Sequence, residues 1–166
     1  MSQVPEYRLL DLDLTPLLQE AFERFRTEMM LDFPTFCQVV YRTMYGPYLR
    51  AREWDGLNRP VIEDAAWLVG RWAHTLYRKS QIQDSDIQEL RPFIVLETDG
   101  AHCKGVKHLS GRWVLPDEVT RLPLDGCDNR CLCRFSTLSQ RDLTRRGWSK
   151  DGPGIPPPRS LARHDD

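Results

Sequence analysis

Four of the five cysteines, Cys103, Cys127, Cys131 and Cys133, fall between residues 98 and 134, and His102 and His108 flank the first of them. Cys127-x3-Cys131-x-Cys133 places three thiols within seven residues. Cys103 lies 24 positions before Cys127, and the intervening Gly111, Pro116, Pro123 and Gly126 give the chain places to turn back. Four thiolates arranged as a tetrahedron at about 2.3 Å are what zinc takes in a structural site. A short segment poor in large apolar residues gains stability from such a cross-link. The expected metal ligands are therefore Cys103, Cys127, Cys131 and Cys133, with His102 or His108 able to replace a thiolate, and the expected cofactor is structural zinc. The spacing is not a paired CxxC…CxxC, so two other readings stand beside it: reduced thiols packed without metal, and a redox pair.

A site closed by four protein ligands has no position left for water or substrate, which argues against metal catalysis. Asp99, His102, His108 and Asp125 are the groups near the cysteines able to act as acid or base, and both aspartates precede glycine, as turn residues do. No nucleophile, base and orienting group can be named together. The chain holds no HExxH, GxSxG or Gly-rich phosphate loop. No catalytic residue is assigned.

The net charge of −1 does not point to nucleic acid or an anionic membrane as a partner, but the charge is unevenly spread. Residues 1–98 carry 11 basic and 15 acidic side chains, whereas residues 99–150 carry 10 basic and 6 acidic. The basic part is the part with the cysteines. Arg112, Arg121, Arg130, Arg134, Arg141, Arg145 and Arg146 are the residues that would meet phosphates if it bound nucleic acid. The same asymmetry arises if a basic module docks on an acidic helical half.

The elements that must position these residues read as follows. Thr15 as N-cap and Pro16 at N1 begin a helix over residues 16–30, with Leu17, Leu18, Ala21, Phe22, Phe25 and Met29 on one stripe. Asp32-Phe33-Pro34 starts a second, with Phe36, Cys37, Val40, Tyr41 and Met44 inward and Gly46-Pro47 at its end. Cys37 belongs to that apolar stripe and is expected in the core. In the connection 46–60, Tyr48, Arg50, Arg52 and Trp54 could stack on and pair with a nucleic-acid strand, but nothing repeats or extends the patch, so Tyr48 and Trp54 are expected to cover the core while the arginines stay solvated. A third helix spans about Val61 to Lys79, and its single histidine, His74, has no second ligand at i+4. A helical turn capped by Asp84 or Ser85 follows. Pro92–Leu96 reads as a buried strand, and 113–115 and 121–124 as further extended segments. Residues 103–109 suit a helical turn and 137–146 a last short helix. Beyond Trp148 the Pro-, Gly- and charge-rich tail is expected to be disordered.

The expected organisation is α+β: a helical domain over 1–90, a Cys-rich, zinc-stabilised module of short strands and turns over 91–148, and a tail over 149–166. The N-terminus has no basic n-region or apolar h-region, and no apolar run approaches the roughly 20 residues that span a bilayer. A cytoplasmic location with reduced thiols, and no membrane partner, is expected.

The pattern Cys103…Leu109-x-Gly111-x-Trp113…Leu122-Pro123-Leu124…Cys127…Cys131-x-Cys133-Arg134-Phe135 resembles the C-terminal part of an uncharacterised bacterial family with an "LPL-x-x-C" segment and a closing "C-x-C-R-aromatic" followed by Arg-rich sequence. Gln140-Arg141-Asp142 and Arg145-Arg146 match that last feature. It also resembles, more distantly, the C-terminal Cys module of phage Mu F-like head-morphogenesis (minor capsid) proteins. There the first Cys of a CxxC falls at Gly100, and His-Pro-Asn is replaced by Leu124-Asp125-Gly126. These resemblances cover about 40 of 166 residues and imply a cross-linking role for the cysteines, with a bacterial or phage setting. The first family implies no activity.

Three functions follow as expectations. The first is a non-enzymatic binding or scaffold protein, prophage-related, acting through protein contacts. The second is a nucleic-acid-binding protein using the arginines named above. The third is a thiol- or metal-dependent enzyme.

Overall fold

The structure, a computed structural model, describes residues 6–45, 49–97, 109, 113–124 and 126–149. The fold is α+β, with helices joined to two small two-stranded antiparallel sheets. The backbone divides into two compact units, Met1–His74 and Thr75–Asp166. Among the described residues, no helix is long and apolar enough to cross a membrane.

The first unit opens on a hairpin, β1 (Arg8–Leu9) paired with β2 (Leu12–Asp13), with Leu9 opposite Leu12. Its two-residue turn holds Leu10 at a φ of 51°, where a side chain costs about 1–2 kcal/mol. No Gly or Asn marks this turn, so nothing in the sequence announces it. Helix α1 (Thr15–Phe25) begins with Pro16 in its first turn, as expected. Thr15 is not the N-cap, however. That position is Leu14, which has no capping side chain, and Asp13 Oδ1 accepts from the Thr15 N–H at 2.9 Å instead. The helix also stops at Phe25 and passes into a 3₁₀ turn over Arg26–Glu28.

Helix α2 (Phe33–Tyr45) starts where Asp32 Oδ1 accepts from the Thr35 N–H at 2.8 Å. It buries Phe36, Cys37 and Val40, and the Phe22 ring of α1 packs on Phe33 and Phe36. A 3₁₀ turn over Ala51–Trp54 is tied to α2 by Arg42 and Glu53 at 2.8 Å, and Arg59 lies over the half-buried Trp54 ring. Gly46, Pro47 and Tyr48 lie outside the described residues.

Helix α3 (Arg59–Ile82) is longer than the expected 61–79, and the boundary between the units falls within it. Its part in the first unit buries Ile62, Ala65, Leu68, Val69 and Trp72, while His74 is exposed. The compositional change near residue 90 lies inside the second unit.

In the second unit α4 (Ser85–Leu90) is capped by Asp84, whose carboxylate accepts from the N–H groups of Asp86 and Ile87. Strand β3 (Phe93–Glu97) pairs antiparallel with β4 (Arg134–Leu138), from Phe93 opposite Leu138 to Glu97 opposite Arg134. This register gives the ribbon two faces. Ile94, Leu96 and Phe135 enter a larger apolar cluster with Ile82, Leu109, Val114, Val119 and Leu122. Phe93, Val95 and Leu138 enter a smaller one with Trp113 and Leu143. The expected extended segment at 113–115 is a single bridge, Val95 to Trp113, with the Val114 N–H donating to Ile94 O at 2.8 Å.

The expected extended segment at 121–124 is no strand. It is a bend held by Thr75, whose hydroxyl accepts from the Leu122 N–H at 2.8 Å and donates to Leu122 O at 3.3 Å. The last helix, α5 (Gln140–Arg146), begins later than expected because Thr137 and Leu138 finish β4. Ser139 and Asp142 form a capping box at its start, and Gly147 at a φ of 67° closes it.

Candidate functional site

Two tight turns carry the chain through the cysteines. Gly126, at a φ of 83°, allows the first, in which the Cys127 N–H donates to Leu124 O at 3.0 Å. Asp128 builds the second: its carboxylate accepts from the Arg130 N–H at 2.7 Å and its carbonyl from the Cys131 N–H at 3.0 Å. From there the chain runs into β4 with strand alternation. Cys133, Phe135 and Thr137 are buried, while Arg134 is exposed.

The three thiols described therefore border one apolar cluster. Cys127 (7% exposed) and Cys133 (2%) belong to the larger apolar cluster, and Cys131, half-buried, packs against it. Leu132 between them is exposed. None of the three is in a disulfide. A thiol buried among Leu, Ile, Val and Phe side chains behaves as a small hydrophobe and is shielded from reactants. Asn129 Oδ1 is buried in this turn with no hydrogen-bond partner among the described residues.

Cys103, His102 and His108 lie outside the described residues, as do Asp99 and Asp125. Among the described residues no group of three or more His, Cys, Asp or Glu side chains is gathered to hold a metal ion. Cys127, Cys131 and Cys133 share a cluster, then, without making a ligand set by themselves. Cys37 is in the core of the first unit, 1% exposed, and burial pushes its thiol up to about 11.

The arginines named from the sequence are placed unequally. Arg112 lies outside the described residues; Arg130, Arg141 and Arg145 are exposed and Arg121 is half-buried. Arg134 and Arg146 are committed within the fold. Both grip Glu97, Arg134 at 2.7 Å on one carboxylate oxygen and Arg146 at 3.0 Å on the other. Burial alone would raise Glu97, but the hydrogen bonds from Arg134 and Arg146 outweigh it and hold the carboxyl below its ordinary value. The Ser139 backbone and hydroxyl, followed by Arg91 at 3.0 Å, hold Asp142 below its ordinary value.

The sequence reading missed the Glu97 bridge. Its signal was present, since Glu97 ends an apolar run and Arg134 follows the last cysteine, but the register that makes them neighbours is visible only once β4 is recognised as a strand. No family model matches the chain, and no curated protein or solved structure matches it.

Proposed function

We propose that this chain is a non-enzymatic binding or scaffold protein, acting through protein contacts, in which the cysteine-bearing segment is a structural clasp. The observation that carries the reading is the inward placement of the thiols: Cys127 and Cys133 are buried in the same apolar cluster as Leu96, Leu122 and Phe135. A nucleophilic thiol needs access to substrate, and the burial of Cys127 and Cys133 works against that access. The resemblance of residues 98–136 to the bacterial Cys-rich module and the phage Mu F-like module supports the same structural role and a prophage-related setting.

Zinc belongs to this proposal as the clasp's cross-link. It would be held by Cys103, Cys127, Cys131 and Cys133, with His102 and His108 in reserve, and would supply a structural tie rather than a reaction. What supports it is three thiols within seven residues beside one apolar cluster; they are not gathered as a metal-holding group by themselves, so it requires that all three close together with Cys103 around the ion. Metal analysis of protein purified without added zinc, with thiols counted before and after a chelator, is the test. One zinc per chain, lost as four thiols become reactive, is the expected result. Protein without metal whose thiols stay protected until unfolding removes zinc from the reading and leaves a clasp held by packing.

A further inference from the structure

Helix α5 turns one side chain fully inward. Leu143 is buried with Phe93, Trp113 and Leu138. At about 3.6 residues per turn, Arg141 and Arg145 stand on the side of the helix opposite to it. Gln140 and Thr144 lie beside them, and all four are exposed. Arg141 and Arg145 are one turn apart, so their side chains leave the helix about 5–6 Å from each other. Among the described residues neither guanidinium has an ion pair or a hydrogen bond, and Arg145 acts on Asp142 only through space.

The charges tied to this helix are unequal. Asp142 is already held by Ser139 and by Arg91 at 3.0 Å. Glu97 is held by Arg134 at 2.7 Å and by Arg146 at 3.0 Å. Helix α5 and the ion pairs that run from it thus join Arg91, Arg134, Arg141, Arg145 and Arg146 to only two carboxylates, Asp142 and Glu97. Arg91 and Arg134 stay largely solvated while paired, with side chains 47% and 70% exposed. Every cation of the set is an arginine, whose fork of N–H donors matches a phosphate.

The same face has no apolar side chain, since its four members are Gln140, Arg141, Thr144 and Arg145. A stable protein interface is organised around a buried apolar centre. Neutralising a phosphodiester backbone requires only cations, through release of its counterions. We propose that the outward face of α5 binds the phosphodiester backbone of a nucleic acid, with Arg141 and Arg145 each taking a phosphate and no base read. Arg91 and Arg134 add to the attracting field. This surface is an addition to the protein contacts proposed above, and it does not depend on the cysteine clasp.

Fluorescence anisotropy with the full chain tests it, using a labelled mixed-sequence oligonucleotide of about 20 nucleotides as a single strand and as a duplex. Binding is expected at about 50 mM salt and weakens linearly in log–log form as salt rises. A preference for one form assigns it as the ligand, and equal binding per phosphate assigns the backbone of both. Arg141→Gln combined with Arg145→Gln lowers the salt slope by about two and weakens binding about tenfold or more, on all sequences alike. Each single substitution gives about half the change in slope. Both side chains are exposed and opposite the buried face, so the circular dichroism spectrum and urea midpoint stay as they were. Arg24→Gln combined with Arg52→Gln removes the same charge from exposed arginines of the first unit and changes binding by less than about twofold. Absence of binding to both forms at low salt overturns the proposal, as does binding that salt does not weaken. So does an equal loss in the two double variants, which is an effect of net charge alone. Polyglutamate that displaces the label as well as unlabelled oligonucleotide does, at equal charge, makes the partner an acidic polypeptide and also overturns it.

Discussion

Replacing Thr75 by Val keeps the shape of the side chain and removes its oxygen. That oxygen accepts from the Leu122 N–H at 2.8 Å and donates to Leu122 O at 3.3 Å, in a place where Thr75 is 6% exposed and Leu122 is fully buried. The variant leaves a buried amide without its acceptor, at a cost of about 1–3 kcal/mol, and the longer bond to the carbonyl adds less. A loss of about 2–3 kcal/mol is expected, equivalent to roughly 5–10 °C in Tm for a chain of this size. Urea unfolding followed by circular dichroism reads it. Thr75→Ser is the control: it keeps the hydroxyl and gives up one methyl, at about 1 kcal/mol. If Thr75→Val unfolds with the unsubstituted protein while Thr75→Ser is weaker, the methyl matters and the hydroxyl does not, and the account of how the 121–124 bend is held is wrong.

Three other outcomes follow from the structure. Gly70→Ala should stabilise by about 0.5–1 kcal/mol in urea unfolding, because an added Cβ in α3 meets Met44 Cε at 3.5 Å and Tyr45 Oη at 3.9 Å, both ordinary contacts; a destabilised variant would show that this contact is tighter than drawn. Cys37 is 1% exposed in the core of the first unit, so its alkylation in the native state should proceed only at the rate of unfolding; rapid modification in the folded chain would contradict that placement. Glu97 is held below its ordinary carboxyl value in the fold, so its contribution is present at neutral pH and is lost as pH falls below about 4.5 through the folded value. Glu97→Gln should therefore lose up to about 1 kcal/mol at pH 7 and less as pH approaches 3, and parallel stability curves for the two proteins would refute the bridge.

The parts of the fold that were legible in the sequence are those with local chemistry. Asp32 and Asp84 cap helices where their positions before helical stripes suggest, and of the stripes of α1 and α2 Leu17, Leu18, Ala21, Phe25, Phe36, Cys37 and Val40 are buried while Phe22, Tyr41 and Met44 are half-buried. The run from Phe93 is a strand whose composition and flanks mark it. What was not legible depends on partners distant in sequence. Strand β4 hides behind the cysteines, because Cys133, Phe135 and Thr137 alternate with Arg134 and Ser136 over only five strand residues. Its pairing with β3 across more than thirty residues decides that Glu97 faces Arg134. The β1–β2 hairpin was invisible because its turn puts Leu10, not Gly or Asn, in the left-handed region. At the candidate site the inward Cys133 continues the alternation of β4 and Cys127 is placed by the Gly126 turn, while Cys103 and the two histidines beside it lie outside the described residues.

The central claim is that the cysteine-bearing segment is structural. Site-resolved alkylation of the native protein at neutral pH, with each cysteine followed by mass spectrometry, tests it most directly. The account predicts that Cys127 and Cys133 react only at the rate of unfolding, with Cys131 faster than either because it is half-buried. Rapid modification of Cys127 or Cys133 in the folded chain, at the rate of an accessible thiol, would contradict it and return a catalytic or redox thiol to the reading.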